Sequence, residues 1–501
     1  MIVLDGRPLD PAALAEIARR RVCVAIDPRA RDRVRDAHAT VLRAAADGRS
    51  IYGVTTGLGP RVVDRVDLER DAEYSARVLR ARATSVGPPL SAELTRAVMA
   101  VRLNGACAGT AGVSEAVADG LAALLNAAVH PRVPRSGSVG ASDLCMMAHV
   151  GLGLIGEGEA ELGGETMAAG DALARAGLRP VPLGVRDGLA ICSSSAVSAG
   201  VAALALLDAE AALAAAQIAA ALSMEGFRAN LTPLHPRVVA ARPAPGQAWA
   251  AEGLRALLVG GSLTEPGAAR RLQDPLSLRC VSQVHGSLRF ALDGLATALA
   301  PELGGGGDNP LVLADDVVST GNFHVPALAL ALDALAIALA QVAGMMAERQ
   351  ARLKVGRLSG LPDNLTVHGP THAGLGTLTK TAQALSLEIA HRAAPLATLA
   401  TVGADGVEDD STGATQAALR CVEQLERVRP LVAVELIVAA QAVDEAAPER
   451  LGAGTEIAWR LVRETVAPLG DDRPFGLEIE RLVATALTGG ELLAAVSGAL
   501  A

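Results

Sequence analysis

Residues 136–150, SGSVGASDLCMMAHV, gather small residues, a serine, an aspartate and a histidine in a short space. Their spacing fits no metal-ligand pattern and no nucleophile elbow. A tight Gly-Ala-Ser-x turn can instead react with its own backbone. The amide nitrogen of the residue after serine adds to the carbonyl of the residue before it, and two dehydrations leave a five-membered ring with an electrophilic methylidene. Glycine is the favoured third residue because it has no Cβ to obstruct the close approach; here the residue after Ser142 is Asp143. A second candidate is YGVTTGLGP, residues 52–60. With no lysine after its last glycine and no strand leading in, it makes a weak phosphate cradle. The sharper reading is a glycine-rich loop that offers Tyr52 as general acid or base, and the plainer one is a turn with a packing tyrosine.

Such groups need a scaffold, and composition points to helices. Half of the 501 residues are hydrophobic but only 2% are aromatic, and the apolar share is mostly Ala, Leu and Val. Ala and Leu are strong helix formers, which predicts an all-α fold. Helical periodicity recurs over residues 11–20, 90–106, 113–127, 378–390, 415–427 and 434–443, with Ser91 and Ser114 as N-caps. Only residues 1–4 and 311–318 read as small strands. Residues 199–224 and 325–346 are very apolar, but Asp208, Glu210 and Asp333 interrupt them, so they read as buried bundle helices rather than membrane spans. The expected organisation is a loop-rich, mostly helical N-terminal region, residues 1–195, and a long central helical bundle with C-terminal helices, residues 196–501. Ala-rich helix faces favour a symmetric homo-oligomer.

A net charge of −9 argues against nucleic acid or an acidic membrane as the main partner. Six scattered cysteines without a CxxC predict free thiols in a reducing compartment, and the N-terminus lacks the apolar core of an export signal, so a cytoplasmic location is expected. Nine histidines form no HxH pair, and neither a metal nor a nucleotide is expected. His149 and His324 read as satisfied core or loop histidines.

Taken in order, YGVTTGLG, NAAVHPRVPRSGSVGAS, DGLAICSSS, RPAPGQ, LQDPLSLRCVSQVHG, GDNPLV, STGNFHVPALALALD and GVEDDSTG resemble the histidine and phenylalanine ammonia-lyases and their aminomutase relatives along the whole chain. That resemblance implies a histidine ammonia-lyase-like fold and a homotetramer with active sites shared between subunits. It implies a small-molecule substrate, an amino acid or a derivative, and a self-derived methylidene-imidazolone at Ala141, Ser142 and Asp143. It makes Tyr52 the base for the β-proton, Arg279 the partner of the substrate carboxylate, Glu408 a residue facing the substrate amine, Phe323 an aromatic near the ring, and Gln283 and Asn322 pocket residues.

The sequence departs from the family pattern at several of these places. Ala-Ser-Gly-Asp is here Ala141-Ser142-Asp143, the glycine deleted or replaced. Ser193 stands where the family has an asparagine, and Leu276 where it has a tyrosine. Ala81-Arg82 replaces the pair that selects the substrate, and an Arg82 turned into the pocket would favour an acidic or strongly polar substrate; turned outward it would be a solvent or oligomer contact. Glycines before Asp308 are expected to loosen that loop. Three functions follow: an ammonia-lyase or aminomutase, an enzyme on the same fold without the ring and with a different reaction, or a non-catalytic scaffold for an active paralogue.

Overall fold

Local chemistry sets the helix starts in this computed structural model, which describes residues 1–66, 71–398 and 403–500. Ser91 Oγ accepts from the Leu94 amide at 3.2 Å and opens helix Ala92–Cys107; Ser114 does the same for helix Glu115–Asn126. Asp10 and Asp27, each followed by proline, cap Pro11–Arg19 and Pro28–Ala46. Helix Pro28–Ala46 buries Ala37, Val41, Ala44 and Ala45, which pack with Ile51, Val54, Val312 and Val317. That cluster seats the loop following the helix, where Tyr52 lies.

The architecture is all-α, with two compact units discontinuous in sequence. The first comprises Met1–Leu207, Leu295–Leu332 and Pro395–Leu419, and so draws on segments well beyond residue 195. At its centre is Ala92–Cys107, buried from Thr95 to Cys107, polar side chains included. Buried Arg96 donates to the carbonyls of Ile17 and Leu125, and Arg102 to Asp308 at 2.8 Å. Among the described residues, four small sheets trim this unit. They include the expected strand Ile2–Leu4, parallel to Val24–Ile26, and the hairpin Leu311–Leu313 with Asp316–Val318.

The second unit comprises Asp208–Gly294, Asp333–Ala394 and Arg420–Ala501. Fully buried Arg349 and Glu435 pair within it, and Ser223 Oγ donates to the same carboxylate at 2.9 Å. The long helices Ala196–Phe227, Pro326–Leu353 and Ala414–Ala446 contribute residues to both units. Residues 415–427 and 434–443 are one helix, continuous through Pro430. Among the described residues, two helices are long and apolar enough to cross a membrane; the apolar window of one, Asp187–Phe227, is 94% buried within the chain.

Candidate active site

The geometry of the first unit converges on Ser193, Ser194 and Ser195, where the chain leaves helix Asp187–Cys192 and turns into Ala196–Phe227. The start of the short helix is rigidly held. The Asp187 carboxylate accepts from the Ser114 amide and hydroxyl, both at 2.7 Å, and from the Gly184 amide at 2.8 Å. Arg186, in the left-handed region at φ 78° and buried, donates to the carbonyls of Ala111 and Pro310. The three serines then each bind a different segment. Ser193 Oγ donates to the Asn309 carbonyl at 3.2 Å and accepts from its amide at 3.1 Å. The Ser194 carbonyl accepts from the Asp143 amide at 2.8 Å. Ser195 Oγ donates to the Phe323 carbonyl at 3.1 Å. Ala141 pairs with His324, whose Nε2 lies 3.2 Å from Asp410 Oδ2.

Asp143 caps helix Leu144–Leu154 in sequence position, but its carboxylate makes no capping bond there. It accepts instead from Thr415 Oγ1 at 2.6 Å, Ser138 Oγ at 2.8 Å, the Ser198 amide at 2.8 Å and the Ser198 hydroxyl at 3.1 Å. Burial pushes this fully enclosed carboxyl above its ordinary range, opposed by those donors. Gly140, at φ +83°, allows the turn to lie against residues 412–414: a Cβ there would sit 2.3 Å from Thr412 Oγ1.

Tyr52 rides on a loop that packs against the same short helix. A Cβ on Gly53 would meet the Leu189 side chain at 2.3 Å, so only glycine permits the approach. The Gly59 amide donates to Tyr52 Oη at 2.9 Å. The turn Gly59–Val63 packs on the turn Ala404–Gly406, beside which Glu408 pairs with Gly403. Asn322 is exposed and donates to the Gly306 carbonyl at 3.0 Å.

Ala81 is exposed at the end of helix Asp71–Arg82. Half-buried Arg82 makes one long hydrogen bond, 3.5 Å to the Val78 carbonyl, and no ion pair among the described residues. Burial pushes the Cys192 thiol up to about 12, and the Arg82 charge acts against it, which puts the guanidinium near the residue preceding Ser193. Leu276, Arg279 and Gln283 belong to the second unit. Exposed Leu276 begins helix Leu276–Arg279, and half-buried Gln283 accepts from Ser282 Oγ at 3.2 Å. Arg279 lies near Asp274, whose carboxyl burial raises and Arg279 among other groups lowers.

Two expectations are corrected. Asp143 is a buried anchor, not a residue poised for ring closure. His149 is not satisfied: its buried Nε2 has no partner among the described residues, and burial lowers its pKa. In the loop before Asp308 the Gly306 amide donates to Thr110 Oγ1, and a Cβ on Gly305 would lie 2.2 Å from that of Ala108.

The methylidene-imidazolone does not fit the residues present. Closing it needs the Asp143 nitrogen on the Ala141 carbonyl carbon, yet that amide is committed to Ser194 and its side chain to four donors. Sequence reading also missed Ser194, Ser195 and Asn309, whose backbone and hydroxyl contacts carry no pattern in the sequence. It missed Glu302 as well, which lines a small cavity with Ser194 and Ser195 and whose carboxyl burial pushes up to about 7.

Residues 9–464 match the aromatic amino acid lyase family. The chain belongs to that family. It is 39% identical to the histidine ammonia-lyase of Symbiobacterium thermophilum, over 98% of this chain and 97% of that one. Among solved structures, it is similar to the ergothioneine-degrading ergothionase of Treponema denticola, at 30% identity and a TM-score of 0.93 over 98% of this chain and 99% of that one. The tyrosine aminomutase of Streptomyces globisporus is similar at 29% identity and a TM-score of 0.94, over 99% and 98% of the two chains. Membership makes this chain an enzyme of the carbon–nitrogen lyase and aminomutase class.

Proposed function

We propose that the chain eliminates a nitrogen leaving group from an amino-acid-type substrate, with Tyr52 as the base. The observation that carries this reading is the Tyr52 phenol, held by the Gly59 amide on a loop packed against the helix that ends at Ser193. In the elimination the phenolate takes the proton from the carbon β to the carboxylate. The C–H pair becomes the new double bond, and the nitrogen, cationic as an ammonium in the substrate, departs with the C–N pair as a neutral amine. The family resemblance, and no geometry within one unit, assigns Arg279 to the substrate carboxylate, a role that suits a planar guanidinium fork. Glu408 faces the nitrogen. Arg82, without an ion-pair partner among the described residues, favours a substrate with a polar or anionic side chain.

The relatives named histidine ammonia-lyase make L-histidine the first substrate to try, followed by acidic and polar amino acids and their N-methylated derivatives. Amine release and the absorbance of the unsaturated product are both followed. Tyr52→Phe is expected to lower turnover by about 10²–10⁴-fold with an unchanged circular dichroism spectrum. Full activity in that variant would remove Tyr52 from the role of base.

A further inference from the structure

We infer that Ala141, Ser142 and Asp143 remain an ordinary peptide, and that the elimination proposed above runs without a backbone-derived electrophile. Ring closure would require the Asp143 nitrogen to bond to the Ala141 carbonyl carbon. That oxygen would leave as one water and the Ser142 hydroxyl as a second. Each participant is restrained against this.

The nucleophile comes first. The Asp143 amide hydrogen is spent on the Ser194 carbonyl at 2.8 Å, so the nitrogen must give up that bond before attacking. Asp143 also has a side chain, and it is tethered. Moving its nitrogen toward Ala141 drags its Cα, and with it a buried carboxylate held by Thr415, Ser138 and Ser198. A glycine at this place would carry no such tether.

The electrophile is held from the other side. Ala141 pairs with His324, and the preceding Gly140 carbonyl accepts from Thr412 Oγ1 at 2.9 Å. One residue back, the Val139 carbonyl accepts from the Gly413 amide at 2.9 Å. The chain enters helix Leu144–Leu154 directly after Asp143, so the movement falls on Ser142, whose carbonyl accepts from Ser138 Oγ at 3.3 Å. Ser142 itself already sits in the left-handed region, at φ 57°.

The consequence falls on the substrate. Related enzymes use a ring to turn an amine into a better leaving group, and here that activation has to reside in the substrate. Either its β-hydrogen is acidified by an adjacent group, or its nitrogen leaves more readily than ammonia does. Proton, double bond and leaving amine balance as in the elimination above, and no oxidant or reductant is consumed.

This inference rests on the proposed reaction only for what is eliminated; the state of the backbone can be read without any substrate. Intact mass of the purified full-length chain, with peptide mapping over residues 136–150, is expected to give the unmodified mass. A mass lighter by two waters, mapped to residues 141–143, would overturn it. Borohydride, which reduces an electrophilic methylidene, should leave mass and any turnover unchanged. Hydride addition mapped to these residues with loss of turnover would overturn it equally. If no amino acid is turned over, the proposed function fails while the mass still decides the state of the backbone.

Discussion

The amide of Asp143 donates to the carbonyl of Ser194 at 2.8 Å, while the Asp143 carboxylate gathers the hydroxyls of Ser138, Ser198 and Thr415. One residue thereby rivets together three segments far apart in sequence: the 138–143 turn, the start of Ala196–Phe227 and the start of Ala414–Ala446. The same contacts that hold the candidate site together keep its backbone from cyclising.

Replacing Asp143 by alanine strands those buried donors. Each unpaired buried group costs about 1–3 kcal/mol, so Asp143→Ala should lower stability by roughly 3 kcal/mol or more in urea unfolding. Asp143→Asn retains an acceptor oxygen and should lose less. An alanine variant as stable as the parent would contradict the cage.

Gly140→Ala tests the turn from the backbone side. The new Cβ would lie 2.3 Å from Thr412 Oγ1 and 2.9 Å from the Gly413 and Ala414 amides, at φ +83°. Strain of this kind costs on the order of 1–3 kcal/mol. The variant should melt several degrees lower, and a melting temperature equal to the parent's would show that residues 412–414 yield freely.

In the second unit, Glu435→Ala should cost about 3–5 kcal/mol, because it leaves the Arg349 guanidinium buried without its counter-charge. A double variant with Arg349→Met and Glu435→Leu should recover most of that loss. If the double variant is no more stable than the single one, packing rather than charge dominates the site.

Only two of the 45 basic residues are lysines, and one of them, Lys354, is buried with Gln350 Oε1 as its acceptor at 2.5 Å. Burial lowers its pKa from 10.5 to about 7. Between those values the unfolded chain binds a proton that the folded chain lacks, so this group makes stability rise with pH from about 7 to about 10.5. Below about 7 the penalty is fully present. Lys354→Met should remove that slope and add a few kcal/mol at pH 6, read from urea titrations across pH. A slope unchanged by the substitution would assign it to other groups.

The sequence by itself determined the helical class and many element starts. Capping serines and apolar spacing act within a few residues, and the structure retains them at Ser91, Ser114 and the long apolar helices. The motif order along the chain likewise identified the family, which matches residues 9–464. The sequence also exposed Asp143 as the residue out of place, though not what it does. That was decided only by tertiary structure, because the donors to its carboxylate include Ser198 and Thr415, 55 and 272 residues away. The periodic stretches 415–427 and 434–443 likewise proved to be one helix, since packing of a long buried helix outweighs the single backbone bond that Pro430 removes. Short-range patterns are written in neighbouring residues; a buried polar cage is written only in the fold that brings distant ones together.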